Sequence, residues 1–91
     1  MATTVEHCVA ESRFEVFVDG QLAGYADYAE HGSVRDFHRT VTYPRFRGQG
    51  LAAEVLKAAL DDTKARGFSV VPSCSYVAKY ISQNPSYAEL V

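Results

Sequence analysis

The residues of this chain best suited to chemistry gather at one turn, Arg47-Gly48-Gln49-Gly50-Leu51-Ala52, between an extended stretch ending Val41-Thr42-Tyr43-Pro44 and a helical run over residues 51–66. Two glycines one residue apart let the backbone turn sharply and leave no side chain between the amides of Gly48, Gln49 and Gly50 and an approaching ligand. These amides are also unpaired donors at a helix start, where the helix dipole adds partial positive charge, and Arg47 supplies a full charge beside them. A phosphate or pyrophosphate is the expected guest, and a tight turn that only packs closely is the alternative. Leu51 opens the helix, and Ala52 keeps the entrance low. The turn is neither a Walker loop, since no Gly-Lys-Ser/Thr follows, nor a dinucleotide fingerprint, since Gly-x-Gly-x-x-Gly is absent.

Cys74 is the second candidate. It falls between a strand end and a helix start, where amide dipoles favour a thiolate, though a buried cysteine is also a common packing residue. Cys8 lies far away in sequence with no Cys-x-x-Cys pairing, so both are read as reduced thiols. His7, His31 and His38 do not fall at metal-ligand spacing, and no metal site is expected.

Composition narrows the class. The 91 residues suit one domain with a modest core, 47% of them are apolar, and the formal net charge is −2. That charge argues against a general nucleic-acid binder. No apolar run approaches the ~20 residues of a membrane span, and the start lacks the zones of a secretory signal, so the cytoplasm is the expected location.

Periodicity supplies the elements that must position the turn. Residues 1–7 are polar and expected to be loose. Residues 13–18 and 21–28 read as strands joined by an Asp19-Gly20 hairpin turn, and residues 34–42 as a third strand with Phe37 and Val41 among polar neighbours. Pro44 ends its ladder. Beyond the turn, Ala52, Val55, Leu56, Ala59, Leu60 and Thr63 recur at helical spacing, and Gly67 suits a left-handed cap. Residues 68–71 form a short strand of the kind buried after a crossover helix, parallel to the third strand. A second helix is expected over residues 76–82, followed by a tail that docks through Tyr87 and Leu90. The expected fold is therefore α/β of the α+β type, a mixed and mostly antiparallel sheet with a strand-helix-strand unit and a short C-terminal helix.

The run Pro44-Arg45-Phe46-Arg47-Gly48-Gln49-Gly50-Leu51-Ala52 resembles the acyl-CoA pyrophosphate signature of the GNAT superfamily of N-acetyltransferases, Arg/Gln-x-x-Gly-x-Gly/Ala, with Arg47, Gly50 and Ala52 at its fixed positions. The whole chain resembles the short, stand-alone YjdJ-type branch through Phe14-Glu15-Val16-Phe17-Val18-Asp19-Gly20 and Tyr76-Val77-Ala78-Lys79-Tyr80-Ile81. The resemblance implies a single acetyltransferase domain over residues 1–91 that transfers acetyl from acetyl-CoA to a small-molecule or protein amine. It implies that the backbone near Val41 and Thr42 meets the pantetheine arm, while residues 47–52 hold the pyrophosphate. Many members place a glutamate on the strand before the turn; this chain has Val41 there, with Asp36, His38 and Arg39 as its nearest titratable neighbours. His38 is thus the candidate base, against a surface histidine. Ser75 and Tyr80 sit near the positions where the family's second helix carries a pantetheine ligand and a tyrosine acid, although Tyr80 also reads as a packed aromatic. Transfer by direct attack of the amine and transfer through Cys74 both stay open. The chain lacks the extra N-terminal helices of longer relatives, so a second copy could complete the acceptor pocket, and a coenzyme A-binding module with little turnover is the alternative function.

Overall fold

Arg13–Val18 (β2) alternates buried Phe14, Val16 and Val18 with half-buried Arg13, Glu15 and Phe17, so one face of the strand is committed to a core. In the computed structural model, which describes residues 2–91, that face is extended by Thr3–Cys8 (β1), Gln21–His31 (β3), Val34–Thr42 (β4) and Ser69–Val71 (β5). The sheet order is β1-β2-β3-β4-β5, antiparallel except for the β4 and β5 pair. Leu51–Ala65 (α1) crosses between those two parallel strands and buries Leu51, Val55, Leu56, Ala59, Leu60 and Thr63. Arg66 caps α1, and Gly67 follows with φ 72°. Ser75–Gln83 (α2) adds Val77 and Ile81 to the same core, and the 3-10 segment Pro85–Leu90 closes it with Tyr87 and Leu90. No helix among the described residues is long and apolar enough to cross a membrane.

The N-terminal residues depart from expectation. Instead of lying loose, β1 pairs with β2 from Thr3↔Val18 to Cys8↔Arg13. Its polar composition hides an alternation that puts Val5 and His7 on the core side, where the His7 ring stacks on Phe14 at 4.0 Å and its Nε2 lies 2.7 Å from Tyr28 Oη. β3 also runs three residues past the expected end, to His31.

Two bulges set the phase of the sheet. Val16↔Gly24 is followed by Phe17↔Leu22, leaving Ala23 extra, and Asp27↔Arg39 is followed by Tyr28↔Phe37, leaving His38 extra. Each bulge shifts the alternation by one residue, so Thr40 rather than Arg39 shares the side of Phe37.

Arg35 fastens β4 to α1. It is 2% exposed, with Nε 2.9 Å from Glu30 Oε1 and Nη1 2.8 Å from Asp62 Oδ2 and 3.1 Å from Thr63 Oγ1. Its guanidinium also lies 4.8 Å from the Tyr28 ring centroid. Burial pushes the Asp62 carboxyl up, but hydrogen bonds from Arg35 and Arg66 outweigh it and hold the group below its ordinary value. A depressed folded pKa stabilises the fold above the unfolded value near ~3.9, and that contribution is lost as the pH falls through the folded value. Arg35→Ala removes the buried stem and leaves Asp62 with Arg66 alone, so urea unfolding should show a loss of about 3 kcal/mol and a weaker acid dependence below about pH 4. A loss under about 1 kcal/mol, with the acid limb unchanged, would mean that Arg35 is not what joins strand to helix.

Candidate functional site

The site begins where β4 and β5 part. Their ladder runs Val34↔Ser69, Arg35↔Val70, Asp36↔Val71 and stops before Pro72, which has no donor to continue it. The chain meets β4 once more, at Cys74 N to Phe37 O, 2.9 Å. From there β4 continues with only β3 beside it. Tyr43 N donates to Ala23 O at 2.8 Å, so the strand's alternation turns the backbone of Val41 toward β3 and that of Thr42 and Thr40 toward the open side. β3 approaches β4 closely here because residue 24 is glycine: a Cβ at Gly24 would collide with the Val41 carbonyl oxygen.

A 3-10 turn, Pro44–Phe46, then carries the chain across the end of the sheet with Phe46 buried beneath it. Arg47 follows, exposed, its Nε 3.4 Å from Thr42 O. Gly48 and Gly50 both have positive φ, 83° and 72°, and Gly50 is the N-cap of α1 with no side-chain cap. The first capping bond is Glu54 N to Gly50 O, and the amides of Gly48, Gln49 and Gly50 have no partner among the described residues. A left-handed residue at the helix entrance aims successive amides into one concavity, the arrangement that binds anions.

Open strand and helix entrance share one groove of about 500 Å³. Thr40, Val41 and Thr42 form its strand wall, Arg47, Gly48 and Gly50 its anion end, and Leu51 and Ala52 the helix side. Phe46 and Tyr76 complete it. No carboxylate or histidine lines it, so its fixed charge comes from Arg47 and the α1 dipole.

The structure thus brings together Val41, Thr42, Arg47, Gly48, Gly50, Leu51 and Ala52, while Gln49 contributes to the turn without lining the groove. Ser75 is exposed as the first residue of α2 and lies outside the lining. His38 is exposed in the β4 bulge, also outside it. Tyr80 is turned into the seam between α1 and α2, 6.0 Å from the Tyr87 ring, and burial raises its hydroxyl above its ordinary value. Neither of the two proton-transfer candidates reaches the groove wall.

Cys74 does not line the groove either; it stands behind Thr40, which does. It is the N-cap of α2, half-buried, with Sγ 3.7 Å from Thr40 Oγ1. Burial pushes this thiol up, but hydrogen bonds from the Val77 and Tyr76 amides and from the hydroxyl and amide of Thr40 outweigh it, and it ionises below its ordinary value. Cys8 is the opposite case: a hydrogen bond to Glu15, at 3.0 Å, and burial push its thiol up to about 11.

Sequence reasoning missed Thr40, Phe46 and Tyr76 as groove residues. Thr40 lies two before Thr42 on the same strand edge, a signal that the period of two could have supplied. Tyr76 stands off the Val77 and Ile81 face of an amphipathic helix and is 48% exposed, which marks a large ring not spent on the core.

A family model described as GCN5-related N-acetyl-transferase matches residues 13–90. The chain belongs to this family. It is 30% identical over 84 residues to Protein NATD1 of Xenopus tropicalis, covering 89% of this chain and 76% of that one. It is similar in fold to the solution structure of a GCN5-like protein from Staphylococcus aureus, with TM-score 0.74 and 17% identity over 96% of this chain and 85% of the other. It is also similar to the PaiA N-acetyltransferase of Thermoplasma acidophilum in complex with coenzyme A, at TM-score 0.62 and 16% identity, over 79% of this chain and 48% of that one. As a GCN5-related domain the chain has the expected mixed, mostly antiparallel sheet flanked by helices.

Proposed function

We propose that this chain is an acetyl-CoA-dependent N-acetyltransferase of the short, stand-alone branch of the family, acting on a small-molecule or protein amine. The observation that carries the reading is the meeting, in one groove, of a helix entrance with unpaired amides and an open strand edge. The amides of residues 48–50 and Arg47 suit a pyrophosphate, and the outward backbone of Thr40 and Thr42 suits the amide-bearing pantetheine arm, which pairs with it as an added strand would. The structure of a relative with coenzyme A supports the same choice of ligand.

The groove has no carboxylate or histidine to take a proton from the amine, and the nucleophile nearest its Thr40 wall is Cys74, whose thiol ionises below its ordinary value. In the route we propose, Cys74 Sγ forms a bond to the thioester carbonyl carbon, the bond from that carbon to the coenzyme A sulfur breaks, and coenzyme A leaves as a thiolate that takes a proton from solvent. The amine then attacks the Cys74 thioester, the Cys74 thiolate is restored, and the amine's proton passes to solvent. The missing base also favours a second reading, a coenzyme A-binding module with little turnover; release of coenzyme A thiol on adding amines separates the two.

Acetyl-CoA should stabilise the fold in a melting scan. At a hundredfold excess over Kd a ligand bound only by the native state adds about 2.7 kcal/mol, which for a domain this size raises the melting temperature by roughly 10 °C or more. No shift with millimolar acetyl-CoA or coenzyme A would end the reading.

A further inference from the structure

β1 has one open side. It pairs only with β2, from Thr3↔Val18 to Cys8↔Arg13 without a bulge. The hydrogen bond from Asp19 N to Ala2 O, 2.8 Å, fixes which of its backbone groups face β2. Ala2 and Asp19 are a bonded pair, so the alternation gives Thr4↔Phe17, Glu6↔Glu15 and Cys8↔Arg13 to the ladder. The N–H and C=O groups of Thr3, Val5 and His7 therefore turn outward, and they have no partner among the described residues. The two edges of the sheet differ in this respect. β5 is three residues long and is followed at once by Pro72, two features that keep another strand from adding to it. β1 is six residues long and carries neither proline nor lysine. An unguarded edge of this length is a template for a further strand.

The sequence of β1 itself fits as that strand. Laid antiparallel about Val5, two copies place Val5 opposite Val5, Thr3 opposite His7 and Thr4 opposite Glu6, so the outward residues of one copy meet those of the other. The Val5 pair lies on the core side, where Val5 already packs against the cluster. On the other side the Thr4 hydroxyl faces the carboxylate of Glu6, which is exposed, stands across from Glu15 and makes no ion pair among the described residues. The neighbouring registers are worse. A shift one way sets Glu6 against Glu6, and a shift the other way leaves His7 with no outward residue of β1 to meet.

We propose that β1 is the interface of a two-fold dimer, in which the β1 strands of two copies pair antiparallel and the two five-stranded sheets run on as one. The contact uses the same edge on both copies and so closes at two. β1 lies at the opposite end of the sheet order from β4 and β5, so both grooves stay at the outer ends and the inference is independent of what fills them.

The test is sedimentation equilibrium together with amide hydrogen exchange on the full chain. A strand edge buries less than a standard interface, so the dimer should form with a Kd on the order of 10–100 µM. The amides of Thr3, Val5 and His7 should exchange severalfold more slowly at ~1 mM than at ~10 µM protein, while those of Thr4, Glu6 and Cys8, bonded to β2 in either state, should change least. Thr4→Glu sets a carboxylate against Glu6 at both ends of the seam and should raise the Kd about tenfold. Adding Glu6→Lys makes both contacts attractive and should return the Kd to the wild-type value or below. Thr3→Pro, at a strand start that tolerates proline, removes an outward donor at each end and should weaken the dimer about tenfold with the circular dichroism unchanged. A chain that stays monomeric at ~1 mM overturns the inference, as does a dimer whose Kd ignores Thr4→Glu or whose outward β1 amides exchange as fast as in the monomer.

Discussion

Gly50→Val should abolish the melting shift given by acetyl-CoA and raise its Kd by about a hundredfold, the ~3 kcal/mol that two charge-assisted hydrogen bonds supply. Gly50 sits at φ 72° at the entrance to α1, a region that a β-branched residue occupies only with strain of roughly 1–2 kcal/mol. A Cβ there meets no atom within 4 Å, because the space above it is the groove itself. The isopropyl group would therefore stand where the anion must approach the amides. Gly67 is the matched control: it has the same φ of 72°, with nothing within 4 Å of its Cβ, at the far end of the helix. Gly67→Val should cost similar stability and leave the melting shift intact. Arg47→Ala, which removes one donor among several, should weaken binding only about tenfold. If Gly50→Val and Gly67→Val behave alike toward acetyl-CoA, strain rather than the groove explains the result, and the cradle is misplaced.

The anion end of the site was legible because its chemistry is written in consecutive residues. Arg47, Gly48, Gly50, Leu51 and Ala52 are a turn and a helix entrance, and glycine spacing with helical periodicity identifies both without tertiary information. The sheet was legible for a similar reason, since Phe14, Val16 and Val18 alternate and the α1 face repeats at helical spacing. What failed depends on phase between distant segments. β1 has only Val5 and His7 to mark its inner face, and the partners that give them meaning, Phe14 and Tyr28, lie elsewhere in the chain. Reading β4 with an unbroken period of two takes no account of His38 as an extra residue opposite Asp27 and Tyr28. That one-residue bulge puts His38 out of phase with Thr40 and Thr42 and so takes it off the groove wall, and no local composition announces it. Tyr80 fell short for a different reason. The angle at which α2 leaves Cys74 turns Tyr76 to the groove and sends Tyr80 into the seam with α1, and helical spacing alone does not give that angle.

Cys74→Ser should lower acetyl transfer roughly a hundredfold or more while leaving the melting shift with acetyl-CoA in place. The sulfur sits at the start of α2, 3.7 Å from the hydroxyl of Thr40, which itself lines the groove, so the substitution removes a nucleophile without touching the anion cradle. The pH dependence follows from the sign of the shift. Because hydrogen bonds to the sulfur stabilise the thiolate, the reactive form gains population from below the ordinary thiol value, and the rate should rise with pH through that lowered value and then level off. Cys8→Ser should be silent, since the Cys8 thiol is pushed up to about 11 and stays protonated at neutral pH. Iodoacetamide should accordingly label Cys74 well before Cys8, at a ratio of about ten or more. Peptide mass spectrometry on the wild-type chain mixed with acetyl-CoA alone should find acetyl on Cys74, lost again when an amine is added, at a rate no slower than turnover. Full activity in Cys74→Ser would exclude the relay and leave direct attack of the amine on acetyl-CoA. The donors around residue 74 would then serve to lock the start of α2 against β4, and that role predicts a second observable: Cys74→Ser would lower the melting temperature of the free chain without changing the pH profile of the rate.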